Sequence, residues 1–515
     1  MPVSNPSLGE CATDQIDSPW TPERRQADYT QRFRRTTLSR ASGRGPEGEN
    51  CYIASVRELV RHHFRFFVAA TVAAIAVRLF FVFRFPAVVA DSLVYGDIAK
   101  NWLQHGIFGL SGINEVTPTY IRLPGYPAFL AVVFTIFGME HYRAALMVQI
   151  FVDIGTCFLI ADVARRCVSP RAARNAFVLA ALCPFLATYV AAALTETWEI
   201  FFTVLVLDLA LVGVANMEHA RVWLGCGLAI GAAILLRPDG GLLLAAIELY
   251  LVYLLISRTT TSTEMTSSAI AKAGLIVALA ALAPLIPWTV RNLRTFHELQ
   301  PLAPRYANES DDPVPRGFNR WVRTWMANYA SVEEIYWAVP GSPMDVDNLP
   351  NRAFDSDDQL DQTQHLLDDY NKILHVTPEL DARFAALAAL RIQHSHWRYY
   401  VWLPAMRVAD MWLRPRTEMM PCSTRWWEFD EPAKWLVVGI VMGTLNLAYI
   451  SAALVGLMRG RFACSLGLLV TFAVLRSLFL ATLENPEPRY TLECYPVLII
   501  LAAGLCQKHS SERSS

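Results

Sequence analysis

Charge is scarce in this chain. Only 18% of its 515 residues are Asp, Glu, Lys or Arg, against about 25% in ordinary soluble domains. Hydrophobic residues make up 54%, and the mean hydropathy is +0.29. Neither sign predominates: 45 Lys and Arg stand against 46 Asp and Glu, so the basic footprint of a nucleic-acid binder is missing. None of the ten cysteines forms a CxxC pair, which argues against structural zinc. Cys157, Cys183, Cys226 and Cys464 fall inside apolar runs, where cysteine behaves as a small hydrophobe. No convincing internal repeat is present, unlike many transporters.

What is present is a succession of apolar runs of about 18 to 22 residues, the length of a membrane crossing. A soluble enzyme, a disordered chain and a secreted disulfide scaffold are excluded, and an all-α integral membrane protein is expected. Residues 1–63 hold no long apolar run but carry Arg24, Arg25, Arg32, Arg34, Arg35, Arg40 and Arg44. They predict a disordered cytosolic tail ahead of an uncleaved signal anchor at 64–84, with the arginines inside. Further crossings are expected at 143–163, 174–194, 197–215, 221–236, 239–257, 268–288, 434–457, 462–482 and 489–506, about ten in all. The stretch 123–138 is apolar but short and opens with Pro124 and Pro127. A crossing there would put Arg165, Arg166, Arg171 and Arg174 outside, so a juxtamembrane or re-entrant helix at the outer face is expected. The resulting divisions are a module at 64–298 with a first external loop at 85–142, an external loop or lid at 299–433, terminal spans at 434–506 and a cytosolic tail at 507–515. Segment 379–413 interleaves arginines with aromatics at helical spacing, which suggests a helix lying in the bilayer interface.

On this topology Asp91, Asp97, Arg122, Glu196, Arg237, Asp239, Arg291, Glu484, Glu487 and Arg489 all map to external span ends or turns. Ionisable groups near membrane depth are costly, so their convergence points to a functional site. Each alone could be a snorkelling or helix-end charge. Asp91 and Glu196 could share a divalent ion through oxygen ligands, but the acidic residues lack metal-loop spacing, and no metal or other cofactor is expected.

Asp91-Ser-Leu-Val-Tyr95-Gly-Asp97 through Gly106, followed by Arg122-Leu-Pro-Gly-Tyr126-Pro127, resembles the first external loop of the family-39-like, GT-C-type polytopic membrane glycosyltransferases. Thr195-Glu196, Leu236-Arg237-Pro238, Pro287-Trp288-Thr-Val-Arg291-Asn292 and Arg489-Tyr490 follow in the order that family shows. The resemblance implies a GT-C-like bundle and a polyprenyl-phosphate sugar donor, as in protein O-mannosyltransferases and lipid A aminoarabinose transferases. It also implies that Asp91 is the catalytic residue. Protein O-mannosyltransferases open this loop with Asp-Glu, whereas here Ser92 follows Asp91, which leaves the acceptor open among glycan, lipid and protein.

Transfer from a lipid phosphate needs one base, because phosphate already leaves well. Asp91 is the expected general base of an inverting displacement. Arg122, Arg291, Arg489 and Arg237 are the candidates for the donor phosphate, with Tyr95, Asp97, Tyr126, Glu196 and Trp288 lining the substrate. The expected setting is a bacterial inner membrane with the site facing the periplasm. A transporter or flippase, and a polymerase or ligase for lipid-linked saccharides, are the competing functions.

Overall fold

The computed structural model describes residues 58–257, 266–309, 313–429, 432–460, 462 and 466–506. The arginines of the tail before residue 58, and the tail after 506, lie outside the described residues.

Helix α1, Phe64–Arg84, leads into α2, Ala90–His105. A two-stranded antiparallel hairpin follows, β1 Gly109–Ser111 and β2 Val116–Pro118. Next come α3 Gly125–Phe137, α4 Tyr142–Cys167, α5 Pro170–Ala181, α6 Pro184–Val190 and α7 Glu196–Ala215. Then follow α8 Ala220–Leu236, α9 Gly241–Ser257, α10 Ser267–Leu282 and α11 Leu285–Phe296. The 299–433 region holds α12 Arg316–Arg323, α13 Asp357–Asn371, α14 Pro378–His394 and α15 Leu403–Leu413. The last helices are α16 Ala433–Arg459, α17 Leu466–Leu480 and α18 Tyr495–Ala503.

Among the described residues, six helices are long and apolar enough to cross a membrane, or seven if the bent pair α5–α6 is one span. The sequence predicts ten. Three of the expected crossings coincide with shorter helices, α8 of 17 residues, α17 of 15 and α18 of 9. These fall short of the ~20 residues a perpendicular crossing takes, so length and composition do not establish the count of ten. Helix α3 has 13 residues, which at 1.5 Å per residue is about 20 Å, too short for the ~30 Å hydrocarbon layer. The Leu-Pro-Gly-Tyr-Pro sequence that opens it has a packing reason. A Cβ on Gly125 would come within 2.6 Å of the Leu235 carbonyl oxygen, so only glycine lets α3 start against the end of α8.

The break between α5 and α6 bends the chain by 51°. Pro184 cannot donate a helical hydrogen bond, and its ring excludes the preceding helical turn. The Ala181 carbonyl freed at the break is taken by the Arg78 guanidinium from α1, which also donates at 3.0 Å to the Ala180 carbonyl, itself already an acceptor from Cys183 N–H. Arg78 Nε in turn donates to Asp153 on α4 at 2.7 Å, with side-chain exposures of 0% and 4%. Broken helices persist at membrane depth only when such freed groups are satisfied again. The ionisable residues are therefore not confined to span ends.

The 299–433 region has a core of its own, in which Phe318, Trp321 and Trp325 pack against Tyr370, Phe384 and Leu387. The single interfacial helix expected over 379–413 is not found. The chain breaks after His394 and passes through a wide turn at Arg398–Trp402 into α15. Arg391 is not a snorkelling charge either: it is buried and donates to Thr324 Oγ1, Gln359 Oε1 and the Arg352 carbonyl. Trp397 and Trp402 do remain exposed. The region is tied to the last helices through Asn446 of α16, which donates to the carbonyls of Trp412 and Arg414 at 2.8 and 3.0 Å and accepts from the Tyr495 hydroxyl.

Candidate functional site

The segment between α1 and α2 pairs with the segment before α7. Ala87 N–H donates to the Ala191 carbonyl at 2.8 Å, and Ala193 N–H donates to the Ala87 carbonyl at 3.0 Å. This brings the first turn of α2, with Asp91, beside the start of α7, with Glu196. Ser92 is buried, and its Oγ accepts from Val89 N–H at 3.1 Å, closing the open end of α2. The helix N-terminus also favours the negative charge of Asp91.

Two guanidiniums hold that charge. Arg122 Nη2 lies 2.9 Å from Asp91 Oδ1, and Arg489 Nη2 lies 3.4 Å from Oδ2. Arg489 also reaches Glu487 through Nε at 2.6 Å and Glu196 at 3.5 Å. Beyond Glu196 lies Arg237, 3.8 Å away, which is also 3.6 Å from Glu199 and 3.4 Å from Asp239. Arg476 closes the far side, 3.1 Å from Asp239 and 2.8 Å from Glu493. The positive group between Asp91 and Glu196 is thus the Arg489 guanidinium. No cluster of three or more His, Cys, Asp or Glu side chains suited to a metal occurs among the described residues.

Burial pushes the Asp91 carboxyl up, but Arg489 and Arg122 more than reverse this and hold it below the usual carboxylate range. The floor is aromatic. The Tyr95 ring lies 5.8 Å from the Arg122 guanidinium carbon and 5.2 Å from the Tyr126 ring. Burial raises the Tyr95 hydroxyl to about 12, so it stays protonated and neutral at physiological pH. Tyr126 Oη donates to Gln149 Oε1 at 2.9 Å, and Gln149 is pinned to the carbonyls of Val190 and Ala192. Access is uneven across the cluster: side-chain exposure is 32% for Asp91, 22% for Arg122, 21% for Arg237 and 18% for Arg489, but 1% for Glu196. Asp91 and its two arginines are all partly open to solvent.

Of the residues expected here, Asp91, Tyr95, Arg122, Tyr126, Glu196, Arg237 and Arg489 come together, with Asp239 and Glu487. Arg291, Trp288, Asp97 and Glu484 do not join them. Arg291 donates to the carbonyls of Phe108 and Thr119 at 2.6 and 2.8 Å, among the rings of Phe108, Trp288 and Phe296. It fastens the two ends of the hairpin rather than facing Asp91, and Trp288 packs on Phe108 at 4.9 Å in the same anchor. Asp97 accepts from the Ser111 N–H and hydroxyl, both at 2.7 Å. Six residues along a helix turn a side chain through about 240°, which carries Asp97 away from the face that bears Asp91. Glu484 pairs with Arg305 at 2.6 Å in the 299–433 region.

Sequence reasoning missed Glu199, Arg476 and Glu493. Each sits within an apolar stretch, where an ionisable residue is itself a signal. Arg78 and Asp153 were missed as well, and the same signal marks them.

Residues 118–288 match the family described as dolichyl-phosphate-mannose-protein mannosyltransferase. The match includes Arg122, Tyr126, Glu196, Arg237 and Trp288, while Asp91 and Arg489 lie outside it. No curated protein matches the chain. Among solved structures, an oligosaccharyltransferase from Archaeoglobus fulgidus in complex with Zn and sulfate aligns at 10% identity and a TM-score of 0.44. That alignment covers 85% of this chain and 48% of that one, so the chain spans about half its length. ArnT from Cupriavidus metallidurans bound to undecaprenyl phosphate aligns at 14% identity and a TM-score of 0.36, over 87% of this chain and 78% of that one. Its apo state aligns at 16% identity and the same TM-score, over 85% and 77%. Through residues 118–288 the chain is thus similar to GT-C-type polytopic membrane glycosyltransferases, whose class of reaction is glycosyl transfer.

Proposed function

We propose that this protein transfers a sugar from a polyprenyl-phosphate donor to an acceptor hydroxyl at the external face of the membrane, with inversion at the anomeric carbon. Asp91 takes the proton of the acceptor hydroxyl as its oxygen bonds to the anomeric carbon. The bond from that carbon to the phosphate oxygen breaks, and its electron pair leaves with the lipid phosphate. Arg122 and Arg489 bind the phosphate, since planar guanidiniums match its oxygens and offset the charge that grows on departure. Arg237 is already shared among Glu196, Glu199 and Asp239 and holds the cluster in shape. Arg291 positions the first loop and is not a phosphate ligand in this scheme.

The observation that carries the proposal is a solvent-accessible carboxylate flanked by arginines 31 and 398 residues away in sequence. The family matched over 118–288, whose description names a dolichyl-phosphate sugar, supports a lipid-phosphate donor. Reconstitution of the full chain with labelled polyprenyl-phosphate sugars, with and without candidate acceptors, tests it. At least one donor should be consumed, with polyprenyl phosphate released and the product's configuration inverted. If no member of a broad panel is consumed by well-inserted protein, the proposal fails.

A further inference from the structure

Asp91, as the structure holds it, is badly prepared to act as a base. Each carboxylate oxygen is already held by a different guanidinium, and the two cations keep the carboxyl below its usual range. The same two arginines are the phosphate ligands of the proposed reaction. No other cation of the cluster is available among the described residues, because Arg237 and Arg476 are each held by buried carboxylates.

We infer that Arg122 and Arg489 serve Asp91 and the donor phosphate in alternation, so that the arriving phosphate releases the base and the base, once ionised again, expels the product. This rests on the reading of both arginines as phosphate ligands. Three details of the geometry favour exchange. Arg489 keeps its Nε on Glu487 at 2.6 Å, which fixes the guanidinium while its two Nη atoms stay 3.4 and 3.5 Å from Asp91. That is longer than the ~2.7–2.9 Å of a tight charge-assisted bond. Arg122 spends only one nitrogen on Asp91 and donates another to its neighbour's carbonyl, Ile121 O. The carboxylate and both cations are each partly exposed, so a phosphate can reach the arginines from the side on which Asp91 now sits.

The proton and charge bookkeeping closes. The donor is a phosphodiester with one negative charge, and bridging the arginines leaves Asp91 ionised and unpaired, hence more basic. Transfer puts the acceptor's proton on Asp91 and turns the leaving phosphate into a monoester with a second ionisation. Neutral Asp91 no longer competes for the arginines. That second ionisation falls near pH 6, so the monoester can accept the proton from Asp91. The carboxylate then regains its two partners as the singly charged lipid phosphate departs.

The test is equilibrium binding of farnesyl phosphate to the full chain in detergent, with farnesol as the control, for wild type, Asp91→Asn and Asp91→Ser. Removing the competing charge should tighten farnesyl phosphate binding by about tenfold or more, the scale of one hydrogen bond to a charged group. Farnesol binding should not change. Arg122→Ala and Arg489→Ala should weaken the phosphate ligand. If both Asp91 variants keep the wild-type thermal midpoint and bind farnesyl phosphate no more tightly than wild type, while the arginine variants lose it, the alternation is overturned and the transferase proposal stands. If farnesyl phosphate binds no better than farnesol to any form, the phosphate site itself is refuted, and the alternation with it.

Discussion

Asp91 and Arg291 illustrate two kinds of necessity at the scale of single residues. Asp91→Asn keeps the shape and removes the charge, and transfer should fall by about 10²–10⁴-fold, the usual range for a general base. Single-turnover assays on folded, membrane-inserted protein would read this out, and unchanged turnover would remove Asp91 from the chemistry. Arg291 acts at a distance, through the carbonyls of Phe108 and Thr119. Arg291→Ala should loosen the hairpin, seen as faster hydrogen exchange over 107–120, and should lower kcat more than it weakens farnesyl phosphate binding. A selective loss of phosphate binding would instead return Arg291 to the ligand set. Asp91, Arg122, Glu196, Arg237 and Arg489 do meet as the sequence led one to expect, because each is a charged side chain at the end of an apolar run. Arg291, Trp288 and Asp97 lie elsewhere, since the sequence does not say which face of α2 or α11 turns toward Asp91 or whether groups of the hairpin will claim a side chain first.

Helix positions were the most legible elements. The apolar run 64–84 is a helix over those same residues, and 197–215 differs from its helix by one residue. The reason is physical: a crossing must satisfy its backbone internally, so its apolar length nearly fixes its ends. Interruptions were harder to see. The break between α5 and α6 lies inside a predicted uniform span, and its partner Arg78 comes from an unrelated helix. Arg78→Met should leave Asp153 buried without its cation and the Ala181 carbonyl without its guanidinium partner, costing about 3–5 kcal/mol. Thermal unfolding in detergent would measure this, and Arg78→Met with Asp153→Asn should recover part of the loss. A single variant as stable as wild type would show that the pair is not needed at the bend. The 379–413 stretch failed for a related reason. Alternating arginines and aromatics suit an interfacial helix and a compact polar core equally well, and only the neighbouring Thr324, Gln359 and Arg352 decide for the core at Arg391.

At the scale of the whole molecule, several side chains join the 299–433 region to the final helices, among them Arg305, Trp412 and Arg416, and Asn446 uses its full amide to do so. Asn446→Leu should free the carbonyls of Trp412 and Arg414, at a cost of about 1–3 kcal/mol for each buried group left unsatisfied. Hydrogen exchange should quicken over 403–425 and leave α4 and α7 unchanged. Uniform quickening would mean that Asn446 supports the entire bundle. None of this was legible from sequence, because an asparagine in an apolar run carries no mark of the carbonyls it will meet.

The distance between Asp91 and Arg489 along the chain has a consequence for biosynthesis. At ~5–20 residues per second, a ribosome adds the 398 positions that separate them in roughly 20–80 s. During that interval Glu196 and Glu199 have entered the nascent bundle with Arg237 as their nearest cation, while Arg489 has yet to emerge. Until translation nears its end, Asp91 and Glu196 therefore each lack one of their two cations. A chain cut short before residue 487 would lack the guanidinium that bridges Asp91 and Glu196.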